Sequence, residues 1–304
     1  MTISPTDSPA DLADSRSFQE LNEAKEDFDS IYDRADPRAY YGELGGLGYR
    51  IPTEAKPVFA RILDGLAEQR ALARPTLADM GCSYGINAAM LKYDMTFRDL
   101  VERYRAGGLR GASASEVVAA DTAFFRGRRP VRDVNVIGMD VAKKAVDYGC
   151  RVGLLKDGIT QNLEEAPPSP RSSALLGEVD LVTSTGCVGY VTENSFRELV
   201  PRARRPWIAS FVLRMFPYDA IADYFATLGL VTEKLRGRFF PQRAFASEEE
   251  KAGALETLSG LGIDPAGLEA DGHYYAEFYL TRPRAEVAAR PLDVLLGLSR
   301  RNGS

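Results

Sequence analysis

A chain of 304 residues with 45% hydrophobic and 27% charged side chains can bury the core of an α/β sheet with added helices, which excludes a disordered or fibrous protein. A net charge of −5, from 38 basic and 43 acidic side chains, argues against a surface that tracks a phosphate backbone, so no nucleic-acid partner is expected. Three cysteines without CxxC spacing, a single histidine and no apolar run near the roughly 18 residues of a membrane span predict reduced thiols, no dedicated metal site and no membrane partner.

Residues 1–17 are rich in Ser, Pro, Asp and Thr, have little to bury, and predict a mobile tail. They carry no basic segment followed by an apolar core, so the cytoplasm is the expected compartment. From Phe18 to Arg34, Phe18, Leu21, Phe28 and Ile31 recur at helical intervals, and "ADPRAYYGELGGLGYRIP" then breaks that helix. A second helix opens near Pro57, with Val58, Ile62, Leu63 and Leu66 on one stripe. Residues 18–75 form the expected N-terminal helical cap.

After the cap, strand-like "TLADMG", "VNVIGMD", "VDLVTSTG" and "PWIASFVLRMF" alternate with helical "AVDYGCRVGLL" and "YDAIADYFATLGL". That rhythm predicts an α/β, Rossmann-like fold over residues 76–290: a mostly parallel seven-stranded sheet, an antiparallel edge strand and helices on both faces. "GLVTEKLRGRFFPQRAF" and "HYYAEFYLTRP" are strand-like and suit antiparallel pairing at the edge, separated by helix-like "SEEEKAGALETLSGLG". Of two interruptions, residues 102–133 predict a short helix and "EEAPPSPRSSALLGE" a proline-rich surface loop. Residues 291–304 are expected to be a C-terminal tail.

Ligands of such sheets bind beyond the carboxyl ends of the strands, so the first strand-to-helix turn, "DMGCSYG", is the floor of the expected site. Gly81 and Gly85 stand four apart with Ser83 in place of a middle glycine, which does not match the GxGxxG dinucleotide pattern, and no GxxxxGK[ST] follows. An NAD-linked oxidoreductase is therefore a minor alternative and ATP hydrolysis is disfavoured.

Asp79 at the strand end, followed by Gly81 and Gly85, resembles the D-x-G-x-x-x-G variant of the first motif of class I S-adenosylmethionine (SAM) dependent methyltransferases. The resemblance implies SAM binding. A zwitterionic amino-acid end and a sulfonium need a carboxylate and an uncharged backbone approach rather than a phosphate nest. It implies further that Asp140, ending "VNVIGMD", accepts the ribose hydroxyls, and that Asp157 and Gly158, with Asn162 nearby, approach the adenine. Ser184, Thr185, Gly186 and Tyr190 would then lie beside the sulfonium. Tyr40, Tyr41 and Tyr49 of the cap suit closure over a cation, or packing within the cap. Arg214 suits a substrate carboxylate or an ion pair with a neighbouring acid. His273, on a strand-like segment, is read as a packing or surface residue.

"FDSIYDRADPRAYY", "YRIPTEAKPVF", "MGCSYGINAAMLK", "STGCVGYVT" and "FVLRMFPYD" are together similar to a methyltransferase-fold group of bacterial secondary metabolism that includes azetidine-2-carboxylate synthases. In those, SAM is the only substrate and its α-amine attacks its own γ-carbon. Asn162, Tyr190 and Ser210 are the candidates for that chemistry. Methyl transfer to a small-molecule acceptor is the leading expectation, SAM cyclisation the alternative, and a non-catalytic SAM-binding protein a third. Caps and insertions, where this fold chooses substrates, carry no readable code for the acceptor or for subunit assembly.

Overall fold

The structure, a computed structural model, describes residues 29–298. The tail expected over residues 1–17, and the helix expected from Phe18 as far as residue 28, lie outside the described residues. The chain enters through α1 (Asp29–Tyr32), α2 (Arg38–Gly46) and α3 (Ile51–Arg70). The first helix ends at Tyr32, ahead of the segment expected to break it, and that segment forms a helix of its own, α2, whose Tyr40, Tyr41 and Leu44 are buried. The following helix starts at Ile51 with Pro52 in its first turn, where a missing N–H costs nothing, so Pro57 lies inside it.

The sheet begins with β1 (Thr76–Met80), followed by α4 (Ile86–Lys92), α5 (Phe97–Arg105) and α6 (Ala114–Arg126). Then come β2 (Asn135–Met139), α7 (Lys143–Arg151), β3 (Asp157–Ile159), α8 (Pro170–Leu176), β4 (Leu181–Thr185), α9 (Glu193–Leu199) and β5 (Trp207–Leu213). Within the interruption over residues 102–133, α6 is the helix expected there, and α5 ends inside it; the two are opened by capping boxes, Ser113 with Glu116 for α6 and Thr96 with Asp99 for α5. The proline-rich stretch is not a loop throughout: Ser169 caps α8 and Pro170 occupies its first position.

All five residues of β1 and all seven of β5 are buried, as continuous apolar runs require when helices cover both faces of a parallel sheet. The strand order is β3-β2-β1-β4-β5-β8-β6, and β1 to β5 run parallel. After α10 (Asp219–Thr227) come β6 (Leu230–Lys234), β7 (Phe240–Ala244), α11 (Glu248–Gly260) and β8 (His273–Pro283). β8 is the reversed strand, one place in from the edge, antiparallel to β5, β6 and β7. Ala276 pairs with Leu213 on one side, so its pairing with Phe240 places β7 on the same outer edge as β6. His273 pairs with Ala244 at the start of β8.

β8 is followed by α12 (Arg284–Ala289) and then, within the expected C-terminal tail, by α13 (Leu292–Leu295). Leu292 and Leu295 are buried, so this helix packs one face on the core rather than trailing as a tail.

Candidate functional site

β1 and β4 are neighbours in the sheet, while the chain leaves β1 toward β2 on one side and β4 toward β5 on the other. That reversal opens a crevice at their carboxyl ends. The first turn forms its floor. Gly81 and Gly85 have φ of +72° and +79°, left-handed geometry that glycine adopts without strain. Gly81 is exposed, so a ligand can approach its backbone.

Asp79 is fully buried at the head of this turn. Its Oδ1 accepts from Asn87 Nδ2 at 3.0 Å and Thr183 Oγ1 at 2.9 Å, and Asn87 also donates to Thr185 Oγ1 at 3.2 Å. Its Oδ2 is buried without a partner. Leaving such an oxygen unsatisfied costs about 1–3 kcal/mol, which a donor from a ligand or an ordered water would recover. Burial drives the Asp79 carboxyl up to about 6, against the hydrogen bonds from Asn87 and Thr183, with the Asp140 charge adding to the rise.

Ser83 takes the left-handed conformation, φ +46°, without being glycine, and its buried Oγ is the second unpartnered atom of the turn. Its N–H donates at 2.8 Å to Asp140 Oδ2, while Asp140 Oδ1 accepts from Ala142 N at 3.0 Å. Each oxygen keeps a second lone pair, so Asp140 can still accept two hydroxyls. Burial raises its carboxyl as well, opposed by those two backbone donors.

Strand alternation divides the residues expected at the reaction centre. Thr185, with Thr183, points to the face occupied by Asn87 and Asp79. Ser184 and Ser210 are paired across β4 and β5 and share the other face. Ser184 Oγ lies 3.0 Å from Cys187 Sγ, and Ser210 accepts from the Tyr218 hydroxyl at 3.3 Å. Tyr190 is exposed on the loop after β4. Asn162 closes a local turn by accepting from Glu164 N at 3.1 Å, and Glu164 binds Thr192 N and Ser195 N, stitching the loops after β3 and β4 together.

Two expected contacts are placed elsewhere. Asp157 and Gly158 lie on β3, not beyond it. Asp157 is held by Arg171, with 2.7 and 2.9 Å to its two oxygens, and a Cβ on Gly158 would stand 2.1 Å from Val146 Cγ1. Gly158 therefore serves close helix–sheet packing. Arg214 is buried and paired with Glu269 Oε2 at 2.5 Å and the Asp264 carbonyl at 2.8 Å, the ion-pair alternative rather than a substrate carboxylate.

Over the turn, Tyr40 packs on Tyr84 and Tyr32, with ring centroids 5.5 and 5.3 Å away. Tyr41 instead stacks on Tyr104 at 4.9 Å and anchors α2 to α5. The Tyr84 hydroxyl ties the turn to the cap, accepting from Arg34 N at 2.9 Å. Burial pushes the Tyr49 hydroxyl far up, with Tyr32 and the Asp79 charge raising it further and its bond to Tyr40 and Arg243 opposing. Tyr49 thus stands close enough to Asp79 to feel its charge, and Tyr40 packs between the cap and Tyr84 of the turn.

Local patterns gave no signal for Asn87, Thr183, Cys187 or Gln242. Cys187 Cβ and Gln242 Nε2 lie 2.9 and 2.5 Å from where Cβ atoms on Gly81 and Gly186 would stand. Gly186 also has φ +83°. Gly186→Ala is expected to lower stability by ~1–2 kcal/mol through left-handed strain and to displace Gln242. A denaturant midpoint measures the first effect, and calorimetric ligand affinity, expected to fall, the second.

Fold and strand order define a Rossmann-like domain with a crevice at the topological switch point. Among solved structures, the chain is similar to the plantazolicin methyltransferase BpumL in complex with a pentazolic desmethylPZN analog and SAH, at 11% identity and a TM-score of 0.41 over 89% of this chain and 100% of that one. It is also similar to BpumL in complex with SAH, at 12% identity and 0.39 over 90% and 100%. A geranyl diphosphate methyltransferase in complex with GPP and sinefungin matches at 13% identity and 0.33 over 69% and 72%. No protein-family profile and no curated protein matches the chain. No helix of the described residues is long and apolar enough to cross a membrane.

Proposed function

We propose that this chain is a SAM-dependent enzyme of bacterial small-molecule, secondary metabolism that methylates a small acceptor. The observation that carries the reading is the unpartnered, buried Oδ2 of Asp79 at the carboxyl end of β1. An ammonium satisfies that oxygen, whereas the pyrophosphate of a dinucleotide would meet a carboxylate there. Ser83 N, a donor that a phosphate would need, is already given to Asp140. Structures of similar fold named as methyltransferases, two with SAH and one with sinefungin, agree with this assignment of the ligand.

SAM supplies an electrophilic methyl on a sulfonium, so this chain's residues have to hold, orient and exclude water rather than supply a strong base. Asp79 receives the ammonium, Asp140 the ribose hydroxyls, and the exposed backbone of Gly81 leaves room between them. Tyr40 and Tyr49 put electron-rich faces in the roof, worth about 0.5–2 kcal/mol to a cation. Thr185 and Gly186 border the crevice beside Asp79. Asp140→Ala is expected to weaken both S-adenosylhomocysteine and methylthioadenosine roughly tenfold or more, since both carry the ribose. Calorimetric titration with each ligand checks this.

One observation favours the second reading, cyclisation of SAM to azetidine-2-carboxylate. A carboxylate raised to about 6 with a free oxygen is placed to take the proton that the α-amine must lose before it can attack. Product analysis separates the two. Purified protein is expected to release S-adenosylhomocysteine only when an acceptor is added; methylthioadenosine and azetidine-2-carboxylate from SAM alone would overturn methyl transfer. Tight SAM binding with neither product would indicate a non-catalytic binder.

A further inference from the structure

We infer that β7 supplies the carboxylate half of the amino-acid subsite, with the Gln242 amide as its donor. This rests on the SAM reading and adds to it a residue that the first-turn motif does not contain.

The α2–α3 connection pins β7 in place: Arg50 N donates to the Gln242 carbonyl at 2.6 Å, and Ala244 N donates to the Leu47 carbonyl at 3.0 Å. Tyr49 lies between Leu47 and Arg50, so Gln242 and the roof tyrosine are fixed by the same pair of backbone bonds. The Gln242 side chain is buried, and its Nε2 occupies the space that a side chain on Gly186 would need. Gly186 directly follows Thr185, whose hydroxyl shares Asn87 with Asp79. The amide therefore stands across the end of β4 from the carboxylate that receives an ammonium. Its side chain makes no hydrogen bond among the described residues.

An α-amino acid presents its ammonium and carboxylate on one carbon, so a carboxylate on one side and a donor on the other match it. A neutral donor suits this position because a second full charge beside Asp79 would pair with it and close the site. Arg243, the next residue, is held by Glu250, and its positive charge is felt at Tyr49.

The test compares SAM, which has both groups, with decarboxylated SAM, which keeps the ammonium and lacks the carboxylate, by calorimetry on wild-type protein and Gln242→Leu. SAM affinity is expected to fall roughly tenfold in the variant while that for decarboxylated SAM is unchanged. Near-isosteric Gln242→Glu, folded by circular dichroism, should lose SAM by a larger factor and retain decarboxylated SAM, because it sets a carboxylate against a carboxylate. Equal losses for both ligands, or none, in the folded Gln242→Glu protein overturn the assignment while leaving SAM binding intact. Wild-type protein that binds neither ligand overturns the SAM reading and this assignment with it.

Discussion

Asp79→Asn is expected to leave the chain folded and to weaken S-adenosylhomocysteine by roughly ten- to a hundredfold, the loss of a charge-assisted bond to a buried carboxylate. Methylthioadenosine, which lacks the amino-acid end, should bind the variant as it binds the wild type. The asparagine oxygen can still accept from Asn87 and Thr183, so the turn keeps the bonds that shape it. Calorimetry with the two ligands reads the difference, and equal affinities for S-adenosylhomocysteine in both proteins would remove Asp79 from the site.

The same carboxyl sets a pH dependence with a definite sign. An ordinary aspartate titrates near 3.8 and Asp79 in the folded chain at about 6. A raised carboxyl costs the empty protein nothing below about pH 4, and the cost of ionising it grows between pH 4 and 6 and levels off above. Two pKa units correspond to about 3 kcal/mol. Removing the charge should therefore make ligand-free Asp79→Asn at pH 7 at least as stable as the wild type. Ligand binding runs the other way: an ammonium needs the ionised form, so affinity should fall about tenfold per pH unit below 6 in the wild type and stay level in Asp79→Asn. A thermal melt series and a calorimetric pH series check the two halves separately.

Glu269→Ala is expected to destabilise the chain by about 3–5 kcal/mol, because it strands the buried Arg214 guanidinium without its counter-charge. Arg214 and Glu269 have side chains only 6% and 2% exposed, which is why the cost exceeds that of a surface pair. A double variant, Arg214→Met with Glu269→Leu, should recover much of that loss, since neither charge is then buried alone. Denaturant midpoints measure all three proteins, and ligand affinity in the folded double variant should match the wild type. A selective loss of affinity would return Arg214 to the binding site.

The parts of the site legible in the sequence are those written as local pattern. A fully buried strand with Asp79 next to its end, followed by Gly81 and Gly85, identifies a crevice floor because backbone geometry and strand burial are decided within a few residues. Asp140 follows by the same logic at the next strand end. Residues that matter through contact across the sheet leave no such trace. Thr183 reaches Asp79 across 104 positions, Gln242 meets Gly186 by the pairing of an edge strand, and Glu269 meets Arg214 from the turn before β8. The displaced expectations have equally physical causes. Asp157 and Gly158 were expected beyond a strand, but β3 is only three residues long and begins at Asp157. α2 forms in a glycine-bearing stretch because Tyr40, Tyr41 and Leu44 bury one face against the turn and α5, a tertiary gain that outweighs weak local propensity. Ser184 and Ser210 have the chemistry expected of them but point to the face away from Asp79, a consequence of strand register.

A crystal structure of the chain with S-adenosylhomocysteine tests the role of Asp79 most directly. The ligand is expected in the crevice at the ends of β1, β2 and β4, its ammonium within hydrogen-bond distance of Asp79 Oδ2 and its ribose hydroxyls on Asp140. A ligand bound elsewhere, or one in the crevice with Asp79 Oδ2 still unpartnered, would contradict it.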